Sequence, residues 1–298
     1  MVGRDPLGHD DRGCDGAAPP ASRHVHAIVI VDAHTHLLPE RLAKKIRAFF
    51  ADHITAAFAY PIDHEVVLER HHADGITQIW NLPYAHKPGV AAELNDSMLE
   101  ISARLAGHPV EVVPGCTVHP ADPDPARELR RAVAAGARVL KLHCSVGKFE
   151  LDDPRLADAL EAAGELGAPV VYHAGHAISG STAAADVAPL ERAAIAHPGT
   201  NFILAHFGHH ALAAGIAVVE AHANVYADLT PVVHDAVPVL PAELERLAPK
   251  LLFGSDAPNT GITAGSLLRS LRARASAAAL AAILHGTAER LTARVRAR

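Results

Sequence analysis

The chain has 298 residues, 49 % hydrophobic and 20 % charged, an ordinary globular balance that can bury a real core. A formal net charge of -6 argues against a nucleic-acid partner, because a phosphate backbone needs a basic footprint. No apolar run reaches the roughly 18 residues of a membrane span. Three cysteines (Cys14, Cys116, Cys144) form neither a disulfide framework nor a CxxC pair, so a reducing cytoplasm is expected.

Residues 1–27 are rich in Gly, Pro, Asp and Ala without periodicity, and predict a flexible, disordered N-terminal extension. Residues 28–298 predict one domain. Within it a short apolar, β-branched run, a polar loop and an Ala/Leu/Glu/Arg-rich helical stretch recur to the end. The apolar runs are IVIVDAH (28–34), ITQIWNL (76–82), VVPGCTV (112–118), RVLKLH (138–143), PVVYHAG (169–175), NFILAHFG (201–208), NVYADLT (224–230) and LLFGSDAP (251–258). Helices are predicted between them, for example over 125–135, 153–166 and 185–196, the second with Asp153 as N-cap and Pro154 at N1. Near-continuous apolar strands alternating with helices give a parallel sheet buried on both faces. Eight such units predict the α/β class and a closed (β/α)8 TIM barrel. A doubly wound dinucleotide fold would need GxGxxG after a strand, and none occurs.

A barrel of this kind works at the C-terminal ends of its strands. Six of the predicted strands finish on groups that bind a metal or move a proton: Asp32, His34 and His36; Lys141 and His143; His173; His206; Asp228; Asp256. In an HxH pair on a strand, alternate side chains share a face, so His34 and His36 converge on one ion. The pair alone is weak, because a chain with 22 histidines supplies roughly one or two HxH pairs by chance. His24-Val25-His26 in the extension is such a pair and reads as a solvated tail. Position at the end of an apolar strand raises His34 and His36. His173 is the expected third ligand, and Asp256 is expected to bind the metal and take a proton from water. His206 is expected to act as a neutral imidazole that polarises substrate or moves a proton, with ligation as the alternative.

Lys141 shares a face with His143 and is costly inside a barrel unless paired or modified. A carbamylated bridge between two metals, a contact to a substrate carboxylate and a plain ion pair all remain open for it. Lys141, His143, His119, Tyr84 and His86 are the candidates for substrate contact. Tyr84, His86, Lys87, His119, His176, His209 and Asp228 are the further candidates at the mouth; most of them are expected to be rim residues in solvent, with His119 the best placed for substrate contact. The Arg-rich end (Arg290, Arg294, Arg296, Arg298) is taken as a solvated last helix.

At these residues the chain resembles the amidohydrolase superfamily, in the amidohydrolase-related branch that includes aminocarboxymuconate semialdehyde decarboxylase-like enzymes. The matching segments are VDAHTHLLPE (31–40), TVHP (117–120), GARVLKLH (136–143), PVVYHAG (169–175), FILAHFG (202–208), LLFGSDAP (251–258) and HGTAERL (285–291), the last with Thr287 where Asn is usual. The resemblance implies one divalent metal, usually zinc with manganese as the alternative, on His34, His36, His173 and Asp256, and His206 as activator of water or substrate. It implies a small-molecule substrate and a homodimer. The TatD-like nuclease branch would carry a Glu ligand at a middle strand, which GARVLKLH lacks. A second metal on Lys141 is the lesser expectation, since KLH is common in mononuclear members.

Hydrolysis of an amide, ester or lactone by metal-activated water is the leading expectation. Non-oxidative decarboxylation of an unsaturated or aromatic acid comes second, partly because the strand-end loops offer almost no Arg to clamp a carboxylate. A non-catalytic metal- or ligand-binding barrel is the third reading.

Overall fold

A computed structural model describes residues 29–53, 57–175 and 183–295. The predicted N-terminal extension, His176, Arg296 and Arg298 lie outside the described residues. Eight parallel strands follow one another around a single sheet in the order β1 to β8. They are β1 (Val31–Thr35), β2 (Gln78–Asn81), β3 (Glu111–Cys116), β4 (Val139–His143), β5 (Val170–His173), β6 (Phe202–Leu204), β7 (Val225–Asp228) and β8 (Leu251–Leu252). The segment after β8 closes the ring on β1: Ala33 N donates to Phe253 O at 2.9 Å, Asp256 N to His34 O at 2.9 Å, and His36 N to Ala257 O at 2.7 Å. The fold is a (β/α)8 TIM barrel, as the alternation of runs predicts.

The predicted helices form at Pro125–Ala134, Ala157–Leu166 and Ala188–Ala196, the last two each entered through a 3-10 turn. Asp153 caps its turn by accepting from Arg155 N at 2.9 Å, and Pro154 follows where its missing N–H costs nothing. Among the described residues no helix is long and apolar enough to cross a membrane. Cys116 and Cys144 are buried free thiols.

Period-two alternation sorts each strand into two layers. Leu140, Leu142, Val170, Tyr172, Phe202, Val225 and Ala227 pack outward against the helices. Val139, Val171, Ile203, Leu252 and Trp80 fill the barrel interior. Burying these fully apolar side chains contributes about 1.5–3 kcal/mol each before conformational entropy is charged against it. The same alternation places Lys141, His143, His173 and Asp228 on the inward face.

Candidate active site

Two site residues do not follow from alternation. Val31 and Ala33 belong to the inner layer, so His34 would point outward on a regular strand. The register of β1 against β2 slips between Asp32 and Thr35, and His34 turns inward to reach Lys141. Re-aiming one side chain is a standard consequence of such an irregularity. His206 has the same problem beyond the end of β6, because Ile203 and Ala205 belong to the inner layer. Here the backbone turns left-handed over three residues, His206 (φ 55), Phe207 (φ 49) and Gly208 (φ 65). For the two non-glycine residues this costs about 1 kcal/mol or more each.

Asp228 holds both departures in place. Its Oδ2 accepts from His34 Nδ1 at 2.8 Å, and its Oδ1 accepts from the backbone N–H of His206 at 2.7 Å and of Thr230 at 3.2 Å. Burial pushes this carboxyl up, but the His34 hydrogen bond and the nearby His206 and Lys141 outweigh it and hold it ionised. It is 1 % exposed, so the expectation of a solvated rim residue is corrected: Asp228 supports the centre of the site. Asp32 does similar work one strand away. Its carboxylate accepts from His34 N and Ser255 N and hydrogen-bonds His71 Nε2 at 3.0 Å, joining β1, the β8 loop and the helix His64–Ala73.

His36 donates from Nδ1 to Leu82 O at 2.6 Å, which leaves its Nε2 lone pair facing Asp256 Oδ1 at 3.1 Å. Two acceptors at that distance require a cation between them, either a proton or a metal ion. Asp256 itself sits in a left-handed turn at φ 63. His34, His36 and Asp256 offer ligand atoms within 4.8 Å of one another. With Nδ1 of His34 donating to Asp228, its Nε2 is likewise an acceptor. This carboxylate–histidine pairing is the arrangement that orients imidazoles for a metal, so the donor set fits a divalent ion.

His173 enters the same pocket but stands beyond that convergent trio. Its ring stacks on His143 at 3.9 Å and lies edge-on to His206 at 4.8 Å. His143 Nδ1 is buried without a hydrogen-bond partner. His206 donates from Nδ1 to Pro231 O at 3.1 Å, leaving Nε2 as its acceptor. Burial, reinforced by the Lys141 charge, lowers the imidazole pKa of His34 to about 3 and those of His143 and His173 well below the usual value; burial also lowers His206. All four are neutral near pH 7.

Lys141 is fully buried, and desolvation brings its ammonium down to about 8, with Asp228 and Asp256 opposing the fall. Its Nζ lies 3.1 Å from His34 Nε2 and donates to it. The amine therefore holds the lone pair that a metal on His34 would use.

Tyr84 lines the pocket with its ring edge-on to His36 at 5.5 Å, and burial raises its phenol. Phe50, Val232, Val233 and Asn259 complete the wall. Two predicted substrate contacts lie elsewhere. His119 is buried with Nε2 on Gly147 O at 3.1 Å and Nδ1 accepting from Ala121 N at 3.1 Å, so its two nitrogens tie the β3 loop to the turn after β4. His86 lines a separate outer groove with Arg41, Lys45 and Glu93. His71, Phe50, Val232, Val233 and Asn259 were not singled out by the sequence. They sit on helices and loops, where no strand-end position marks them.

Neutral imidazoles, an ionised carboxylate and a supporting acid thus meet at the mouth of a TIM barrel, in a donor set that could hold a divalent ion. The chain belongs to the amidohydrolase family, whose model matches residues 31–292. An uncharacterised TIM-barrel protein from Bordetella bronchiseptica is similar at 20 % identity and TM-score 0.70, covering 89 % of this chain and 99 % of that one. A 2,6-dihydroxybenzoate decarboxylase from Rhizobium is 16 % identical with TM-score 0.65, over 89 % of this chain and 98 % of that one. The 5-carboxyvanillate decarboxylase LigW from Sphingomonas paucimobilis is 15 % identical with TM-score 0.60, over 89 % and 99 %. At these identities the likeness speaks for the fold. No curated protein matches the chain.

Proposed function

We propose that the chain is a metal-dependent, non-oxidative decarboxylase of small unsaturated or aromatic carboxylic acids. The observation that carries this is the pocket itself: a floor of neutral imidazoles and one carboxylate under a wall of Phe50, Tyr84, Val232 and Val233. Such a wall suits a flat ring or conjugated chain and keeps water from the carboxylate that is to be lost. Two of the similar structures, described as decarboxylases of aromatic acids, support it.

His34, His36 and Asp256, joined by His173, would hold one divalent ion, with zinc first and manganese second by ligand type. When bound, the ion supplies the positive charge that fixes and polarises the substrate oxygens. With the ion on His34, Lys141 would give up its hydrogen bond to that imidazole and could contribute its own charge in place of an Arg clamp. Asp256, kept ionised, takes the proton of the substrate acid and returns it to the carbon that bears the carboxyl group. The bond from that carbon to the carboxyl carbon then breaks, CO2 leaves, and the net change is R–COOH to R–H plus CO2. His206 offers Nε2 to a substrate hydroxyl or carbonyl and orients the ring for that transfer.

Hydrolysis, the first expectation from the sequence, becomes the second reading. It is favoured by one feature: an ionised Asp256 can equally accept a proton from an attacking water. One assay separates the two. Metal-loaded protein is given a panel of hydroxybenzoic and conjugated acids with CO2 detection, beside ester, lactone and amide substrates. CO2 release confined to the acids supports decarboxylation. Ester, lactone or amide cleavage without CO2 from any acid overturns it.

A further inference from the structure

Outside the centre just described, the mouth carries a second group of metal-competent side chains. His209 and His210 follow the left-handed turn after β6, and Asp235 lies on the loop after β7. Their ligand atoms all fall within 4.8 Å of one another. The imidazole rings of His209 and His210 are 3.9 Å apart and tilted by 59°. His210 is itself left-handed at φ 68, which is how two consecutive residues present their rings to the same side. Asp235 is fixed by a small antiparallel bridge with Val232, its N–H donating to Val232 O at 2.9 Å and Val232 N to Asp235 O at 3.0 Å. Yet no hydrogen bond or ion pair joins the Asp235 carboxylate to either imidazole among the described residues.

We propose that His209, His210 and Asp235 form a rim site for a second divalent cation, zinc-like in preference, which clips the β6 loop to the β7 loop. Two imidazoles and a carboxylate with solvent in the fourth position are an ordinary zinc donor set. Ligands about 2.0–2.2 Å from a tetrahedral ion stand roughly 3.3–3.5 Å apart. To reach that spacing from the present one, Asp235 and His210 have to rotate, and both side chains are exposed. His209 is ready to bind, since burial and the neighbouring His210 lower its pKa to about 4 and leave the ring neutral.

The placement gives the ion a consequence. The β6 loop carries His206. The β7 loop carries Pro231, which hydrogen-bonds His206, and Val232 and Val233, which wall the pocket. A cation bridging both loops fixes the wall against the His206 imidazole. The site does not depend on which reaction the inner centre performs.

The test is metal counting on the full-length protein. Wild type, His210→Ala with Asp235→Asn, and His36→Ala are each dialysed against buffered Zn2+, and bound zinc is measured by elemental analysis with a calorimetric titration beside it. Wild type should hold two equivalents. The His210/Asp235 double variant, altered only at exposed residues, should keep the inner equivalent and bind the rim equivalent at least about a hundredfold more weakly, beyond the ten- to hundredfold that loss of a supporting contact costs. His36→Ala should lose the inner equivalent and keep the rim one. A second equivalent retained by the double variant, or absent from wild type at millimolar Zn2+, overturns the proposal. Failure of His36→Ala to lose zinc counts against the inner centre alone.

Discussion

The two halves of the barrel mouth are built on opposite plans. On the side of β1, β7 and β8, the polar groups are tied down: His34 to Asp228, His36 to Leu82 O, Asp228 to the His206 backbone, and Asp32 to Ser255 and His71. On the side of β4 and β5, His143 Nδ1 has no partner, and His173 makes no hydrogen bond among the described residues and is held by ring stacking. A buried polar atom without a partner costs about 1–3 kcal/mol. The first half spends its hydrogen bonds on fixing geometry, and the second leaves donors and acceptors for what enters the pocket. The contrast fits a proposal in which the first side fixes most of the metal's donor set, while the second adds His173 to it and leaves His143 for substrate.

The largest effect should come from the fixed side. Asp256→Asn removes the proposed ligand and proton carrier together, and turnover should fall about 10²–10⁴-fold with an unchanged circular dichroism spectrum. Activity within tenfold of wild type would remove Asp256 from the chemistry. Asp228→Asn keeps the shape but weakens the grip on His34, so metal affinity measured by chelator competition should drop about 10–100-fold. On the open side, His143→Phe should leave the metal content alone. It should raise KM about fivefold, the worth of one neutral hydrogen bond near 1 kcal/mol. If His143→Phe loosens the metal as much as Asp228→Asn does, the division between the halves is wrong.

Lys141→Met should have the mildest effect on the fold. Replacing a buried amine by an apolar side chain of similar length is often neutral or stabilising, so urea unfolding should shift by less than about 1 kcal/mol or upward. Zinc should bind at least as tightly, because nothing then competes for His34 Nε2. Weaker zinc binding in Lys141→Met would show that the amine supports the centre rather than occupying it.

The strands were legible because a parallel strand buried on both faces has to be apolar throughout, as RVLKLH and PVVYHAG are. Lys141, His143 and His173 were legible for the same reason, since simple alternation carries them inward. His34 and His206 were found by residue type and position, but the means that aims them was hidden. A register slip and a left-handed turn depend on neighbouring strands and leave no periodic trace. Asp228 was misjudged because a carboxylate at a strand end looks alike whether it faces solvent or an imidazole. His119 was singled out for its place before Pro120, yet the β3 loop folds its ring back onto Gly147 O, a tertiary choice beyond local pattern. The reaction preference also moved, because an absent Arg in the loops said nothing about the buried Lys141 charge.

Phe50, Val232 and Val233 wall the pocket without any side-chain hydrogen bond to the groups that hold His34, His36 or Asp256. Their side chains can therefore be varied without removing a side-chain hydrogen bond from the groups beneath, while the backbone at Pro231 goes on holding His206. A library that varies positions 50, 232 and 233 would explore new ring sizes and substituents while the inner centre stays intact. For a protein engineer these three side chains are an interchangeable facing on a jaw whose backbone stays bolted to the motor.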